Sequence, residues 1–462
     1  MAELRLDWIA EKTGGALRRG EAALTFDGFA IDSRLVRPGD LFFAIVAARD
    51  GHDFVRAAAE HGARGAVVSQ PVDGLPAGFA LVSVDDTVLA LQRLARQVLA
   101  ARPIQVVGIT GSVGKTTTKE FAAALLGPRF VVLKSEGNFN NHLGLALSLL
   151  RLEDRHTAVV LEMGMSGRGE IRDLTAIAPP DIAVITNVNP VHLAYLRNLE
   201  AVAAAKWEIV KGLKPGGTAV LNGDDPHLRR AASSYTGPKI LFGVGPDANV
   251  AAEKVVRCGF DGFEFDLRID DHRAPCRLAF LTEAYLYNVL AAAAVAHTLG
   301  VPLQTVAEAI AFLRPAPQRG QWLRLGREVV LIDDSYNSNP PALDTALRGL
   351  AGLPASRKMA VLGDMLELGE DEIRYHEEAG RRVAEEGWDI LIAIGPLSRR
   401  TAAAAVAAGM PSLAVVTFDT SADAAGAIAE WLRNGDLVLV KGSRGMRTEA
   451  VADKIKALTK ES

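Results

Sequence analysis

The residues best suited to chemistry lie together in Gly111-Ser112-Val113-Gly114-Lys115-Thr116-Thr117. Two glycines in a short turn let backbone N–H groups approach a polyphosphate. Lys115 supplies a mobile ammonium, and the Thr116 hydroxyl suits a magnesium ion. The strict phosphate-loop spacing would put a Gly five residues before Gly114, and Ile109 stands there instead. Glu162 follows the apolar run Thr157 to Leu161, and His192 comes just after the run Asp181 to Thr186. A carboxylate at the carboxyl end of a strand is placed to hold a metal, although a capping or solvated Glu fits the same position. His192 reads as a ligand, a base or a plain polar contact. Lys206 sits among Ala201, Ala204, Ala205, Ile209 and Val210 in a segment from Leu199 to Leu213. By its sequence surroundings alone it is a solvated helix lysine with no assigned role.

Such residues need a rigid frame. Ile104 to Ile109 reads as a buried strand that breaks into the glycine turn, and a helix follows through Leu126. The strand feeds the turn, and the helix N-terminus adds partial positive charge facing a bound phosphate. Between this helix and the next, Ser135 to His142 is rich in asparagine. Asn138 and Asn141 there either line a substrate groove or stabilise turns. Residues 239 to 280 alternate polar and apolar like antiparallel strands, and an Ala-rich helix from Ala284 to Leu299 carries Asn288. That Asn reads either a purine or a backbone group.

The last third is a βα repeat. Strands are expected at Val329 to Asp333, Met359 to Gly363, Ile390 to Ile394, Ala414 to Phe418 and Leu437 to Val440. Polar loops after three of them, 333–341, 363–369 and 441–447, gather on one edge of a parallel sheet as a second half-site. At the other end of the chain, Asp32-Ser33-Arg34 and Pro38-Gly39-Asp40 precede the strand Leu41 to Val46. Arg34 is a natural phosphate partner there, with an ordinary turn as the alternative. The expected fold is therefore α/β in three domains. A small α/β N-terminal domain spans 1–102, a central P-loop α/β domain with a parallel sheet spans 103–312, and a Rossmann-like α/β domain spans 313–462.

With 51 basic and 55 acidic residues among 462, a formal charge of −4 gives no polyelectrolyte signal. Neither nucleic acid nor a membrane surface is an expected partner. Two cysteines, Cys258 and Cys276, fit neither a disulfide framework nor a paired-cysteine metal site. The first twenty residues carry no signal-peptide core and the apolar runs are too short to span a bilayer. The expectation is a cytoplasmic protein without membrane insertion, acting as a monomer.

Taken together, the motifs resemble those of the Mur ligase family, the ATP-dependent amide-forming enzymes of bacterial peptidoglycan synthesis. The resemblance rests on Thr110 to Thr117, Asn138-Phe139-Asn140-Asn141, Glu162-Met163-Gly164, Thr186-Asn187 with His192, and Ala205-Lys206 with Glu208. Towards the end it rests on Asp333 to Pro340, Leu362-Gly363-Asp364-Met365 and Lys441 to Arg447. It implies a ligase in which ATP activates the terminal carboxylate of UDP-MurNAc-tripeptide for attack by D-alanyl-D-alanine. It further implies that Thr116, Glu162, His192 and a carbamylated Lys206 surround Mg2+, with Lys115, His192 and Lys206 as the catalytic set. ATP would be bound by Gly111 to Thr117 together with Asn288, Arg319 and Asp333. Ser33, Arg34, Asn138, Asn141, Asn337 and Asn339 would contact the substrates. Three departures stand out. Thr282, Ala284 and Tyr285 replace the Gly-x-His-Asn frequent before the Asn288 position, Pro317-Gln318-Arg319 replaces Pro-Gly-Arg, and Trp207 follows Lys206 where a small residue is common. The rival readings are another Mur-type amino-acid ligase, a folate polyglutamylating relative, and a nucleotide-gated switch that makes no amide.

Overall fold

The structure is a computed structural model and describes residues 3–137, 139–190, 196 and 198–460. It is α/β throughout, and its contacts divide the chain into two compact units. The first comprises 1–110, 126–184 and 207–219; the second comprises 111–125, 185–206 and 220–462. The cut passes directly after the strand that enters the glycine turn.

In the first unit a five-stranded sheet runs in the order Ala16–Arg19, Ala80–Ser83, Gly65–Val68, Leu41–Phe43, Phe29–Ala30. Only Ala16–Arg19 runs antiparallel to its neighbour. Leu41–Phe43 and Gly65–Val68 are buried on both faces, as strands in a helix-covered parallel sheet must be. Further on, Ala158–Glu162 lies parallel to both Gln105–Thr110 and Val132–Lys134. Glu162 is the last residue of its strand and the register partner of Ile109, two residues before Gly111. The strand expected at Thr157 to Leu161 thus extends one residue further, and Glu162 belongs to the strand end itself.

The second unit contains Val250–Arg257, Phe263–Ile269 and His272–Leu278 as an antiparallel set. A six-stranded sheet in the same unit runs in the order Gln321–Arg324, Val330–Asp334, Asp436–Lys441, Arg357–Gly363, Ile390–Ile394, Val415–Phe418. All pairs are parallel except the first. Separate apolar clusters cover its two faces, one around Leu347, Leu362 and Leu391 and the other around Val361, Ile392 and Val440. Strands buried on both sides leave only their ends for polar chemistry, which is why the loops after Asp334, Gly363 and Lys441 carry it.

Two local expectations change. The helix read as continuous from Leu199 to Leu213 is two pieces, Leu199–Lys206 and Glu208–Lys211, broken at Trp207. Within the first piece Ala204 is exposed and Val202 is buried in its place, so the packing face is rotated. Lys206, read as solvated, is 1% exposed. A lysine side chain has been folded inside, where the sequence pattern gave reason to expect a surface residue.

Candidate active site

The glycine turn holds its shape through contacts from Thr186 to Asn189. The Thr186 hydroxyl donates to the Val113 carbonyl at 2.6 Å, and the Asn187 side chain brackets the same residue. Its Oδ1 accepts the Val113 N–H at 2.9 Å and its Nδ2 donates to the Val113 carbonyl at 3.0 Å. Ser112 and Asn189 exchange hydrogen bonds, the Ser112 hydroxyl donating at 3.0 Å and accepting at 2.8 Å. Both glycines are required by space and by conformation. Gly111 has φ 153°, and a Cβ on it would lie 1.8 Å from the Thr186 hydroxyl oxygen. Gly114 has φ 85°, and a Cβ there would lie 2.3 Å from Asn288 Oδ1.

Asn288 is buried and accepts a 3.3 Å hydrogen bond from the Thr118 hydroxyl. It therefore supports the loop and its helix directly, a role that its place in an Ala-rich helix did not announce. The helix Lys115–Leu126 starts at the loop's end, so the N–H groups of its first turn point toward the cradle. The Lys115 ammonium folds back over the turn, 2.8 Å from the Gly111 carbonyl and 3.3 Å from that of Ser112. Thr116 and Thr117 are buried in the first helical turn.

Lys206 ends the helix Leu199–Lys206. Burial pushes its pKa well below the usual lysine range, and the charge of Lys115 pushes it in the same direction. Both effects favour the uncharged amine over the ammonium. Such an amine can add carbon dioxide to become a carbamate anion, which would sit favourably beside the Lys115 cation. The donor set therefore fits a triphosphate with a hard divalent cation: N–H groups, an ammonium, a threonine hydroxyl and a lysine that can become anionic.

Glu162 is 2% exposed and fixed at the backbone, where its N–H donates to the Ser135 hydroxyl at 3.0 Å. Its carboxylate accepts from Asn140 Nδ2 at 2.9 Å. Asn140 was not singled out in the sequence, although it belongs to the same asparagine-rich loop. Asn141 does a different job: its Oδ1 accepts the Gly144 N–H at 2.9 Å and caps the helix His142–Leu149. Glu208 caps too, accepting the N–H groups of Gly169 and Arg172. His192 and Asn138 lie outside the described residues. Among the described residues no group of three or more His, Cys, Asp or Glu could hold a metal.

The substrate-side candidates are held mostly by their own neighbours. Arg34 is exposed and pairs with Asp32 through Nε and Nη2 at 2.9 and 2.6 Å, which drops the Asp32 carboxyl to about 2. Ser33 is buried, and its carbonyl lies 2.7 Å from His61 Nδ1. In the C-terminal sheet Asp333 is buried with both oxygens engaged, one by the Ser335 hydroxyl at 2.5 Å and the other by Lys456 at 2.8 Å. Asp334 and Lys441 are register partners and pair at 2.6 Å. The same ammonium donates to the Asn337 carbonyl at 3.0 Å. Ser443 joins two loops, accepting the Leu366 N–H at 2.9 Å and donating its own N–H to the Asp364 carbonyl at 3.0 Å. Asn339 caps the helix Pro340–Ala351 through the Ala342 N–H. Arg319 lies with its guanidinium carbon 3.9 Å from the centre of the Tyr336 ring.

Residues 109–296 match the Mur ligase middle domain and residues 318–444 match the Mur ligase, glutamate ligase domain. The chain belongs to the Mur ligase family. It is 34% identical over 446 residues to the UDP-N-acetylmuramoyl-tripeptide--D-alanyl-D-alanine ligase of Bacillus subtilis, covering 96% of each chain. Among solved structures it superposes on MurF from Acinetobacter baumannii with a TM-score of 0.88 at 29% identity, over 99% of both chains. It also superposes on the MurF ligase from Thermotoga maritima in complex with ADP, with a TM-score of 0.82 at 31% identity. That match covers 94% of this chain and 98% of the other. The three-domain α/β arrangement expected from the sequence is thus the arrangement of these Mur ligases. No described helix is long and apolar enough to cross a membrane.

Proposed function

We propose that this Mur ligase joins D-alanyl-D-alanine to the terminal carboxylate of UDP-MurNAc-tripeptide with conversion of ATP to ADP and phosphate. The observation that carries the reading is the pairing of a built phosphate loop with a buried Lys206 whose ammonium is disfavoured by burial and by Lys115. The γ-phosphoryl group passes to the carboxylate, and the dipeptide amine then attacks the acyl carbon and displaces phosphate. Two anions meet in the first step, so the protein's task is to neutralise charge and hold the partners in line.

Lys115 would leave the carbonyls of Gly111 and Ser112 for the triphosphate oxygens, while the N–H groups of Gly111 to Thr117 cradle it. Magnesium would be held by Thr116, Glu162, His192 and the carbamate of Lys206, and would supply charge neutralisation and a fixed phosphate geometry. Asn140 would keep the Glu162 carboxylate oriented. Asn288 and Arg319 would face the nucleotide, with Asp333 ordering that side through Ser335 and Lys456. Ser33 and Arg34 would hold the UDP end. Asn138 and Asn141 would line the peptide's path, and Asn337 and Asn339 would frame the dipeptide. The division of labour follows the domains 1–102, 103–312 and 313–462, in a cytoplasmic monomer.

Phosphate release with UDP-MurNAc-tripeptide, assayed with and without D-alanyl-D-alanine, tests the reading. Release that requires both substrates and yields pentapeptide is the expected result. Release with another amino acid in place of the dipeptide would assign the enzyme to a different Mur ligase step. ATP turnover without any amide product would overturn ligation. Running the assay with tripeptides ending in diaminopimelate and in lysine identifies the acceptor.

A further inference from the structure

The linker into the C-terminal sheet, Pro317-Gln318-Arg319-Gly320, turns through two left-handed residues, Gln318 at φ 61° and Gly320 at φ 66°. A glutamine held at positive φ needs support from outside the turn. Three contacts supply it. The Tyr285 hydroxyl donates to the Arg319 carbonyl at 2.7 Å, and the Tyr336 N–H donates to the Gln318 carbonyl at 3.0 Å. The Tyr336 ring lies under the Arg319 guanidinium.

The Tyr285 contact is built from both sides. Its ring stacks on Phe280 with centroids 4.5 Å apart, and Phe280 in turn meets Phe121 of the phosphate-loop helix edge-on at 5.2 Å. From the linker side, a Cβ on Gly320 would lie 1.9 Å from the Tyr285 hydroxyl oxygen, so only glycine admits the ring there. Burial and the charge of Asp334 push the hydroxyl's pKa up, with Arg319 opposing, so the donor keeps its proton at physiological pH.

We infer that Tyr285 is a positioning residue for Arg319: through one hydrogen bond to the Arg319 carbonyl it fixes the turn that aims the guanidinium for nucleotide binding. The inference rests on the reading of Arg319 as a nucleotide contact.

Steady-state kinetics on the full-length enzyme test it with Tyr285→Phe, Arg319→Ala and the double variant. Loss of one hydrogen bond to a buried carbonyl should raise the KM for ATP about tenfold in Tyr285→Phe. It should leave kcat within about twofold and the KM for D-alanyl-D-alanine unchanged. In the Arg319→Ala background the tyrosine change should add nothing, because it acts through that side chain. An ATP KM that rises in Arg319→Ala but not in Tyr285→Phe overturns the positioning role alone. Unchanged ATP KM in Arg319→Ala overturns the nucleotide role of Arg319 and the inference with it. Additive effects overturn the inference by showing an independent path. Should Tyr285→Phe fail to fold, Gly320→Ala crowds the same hydroxyl from the linker side. Its affinity for a non-hydrolysable ATP analogue must then fall, and unchanged affinity overturns the inference.

Discussion

Lys206 and Lys441 are both buried lysines, and they serve opposite ends. In the C-terminal sheet Lys441 is 3% exposed and paired with Asp334, while Lys456 is paired with the buried Asp333. Burial works against the Lys456 ammonium, yet the hydrogen bond and charge of Asp333, with Asp453 adding, raise its pKa. Near the phosphate loop Lys206 is buried as deeply, but the charge that acts on it is the like charge of Lys115. A buried cation matched by a carboxylate is architecture: it fixes where loops 335–339 and 441–444 lie. A buried amine pressed to give up its proton is a chemical group held ready.

The sharpest way to break this contrast is at the loop itself. Lys115→Ala should lower kcat on the order of a thousandfold, because a charge that acts on the transferring phosphoryl group has no substitute. Activity near the parent level in the phosphate-release assay would remove Lys115 from the chemistry.

Lys206→Ala comes next, with activity down on the order of a hundredfold and partial rescue by short carboxylates such as acetate. Intact activity without any carboxylate would dispose of the carbamate. The pH dependence of stability gives an independent view. Because the folded-state pKa of Lys206 is depressed, the unfolded chain binds the extra proton in the window between that value and about 10.4. The native protein should therefore gain stability as pH rises through this window and lose it as pH falls. Thermal melts of Lys206→Met should show a flatter pH profile than the parent, and identical slopes would contradict the assigned direction.

Lys441→Met inverts the pattern. Here the expected loss is stability, about 3 kcal/mol in denaturant unfolding, because Asp334 is left without its ammonium and the Asn337 carbonyl without its donor. A variant as stable as the parent would mean that solvent relieves Asp334. The smallest effect is expected from Asn140→Ala, which removes the amide from the Glu162 carboxylate. The Mg2+ requirement should rise by about threefold to tenfold with little change in melting temperature. A magnesium titration that overlays the parent's would assign Asn140 to packing only.

Much of this was legible in the chain because the signals are local. The glycine turn, its strand and its helix are marked by residue types within one short stretch of chain, so Gly111, Gly114 and Lys115 sit where their spacing put them. The strands of the C-terminal sheet were readable for the same reason, as short apolar runs between turn residues. What escaped was whatever depends on distant partners. Asn140 proved to be the residue that grips Glu162 and Asn288 a support for the loop glycine, whereas Asn141 and Asn339 cap helices through residues three positions on. An asparagine offers the same donor and acceptor to a cap, a carboxylate or a ligand, and only its neighbours in space decide among them.

By itself the sequence determined which segments are strands and helices, where the phosphate loop lies and to which family its motifs belong, because periodicity and turn chemistry act over short stretches of chain. Tertiary structure decided the state of the groups: that Lys206 is buried and pressed toward neutrality, that Lys441 and Lys456 are matched by Asp334 and Asp333, and that Tyr285 steadies Arg319. Desolvation and charge pairing act over a few ångströms between residues far apart in the chain, so neither exists until the chain is folded.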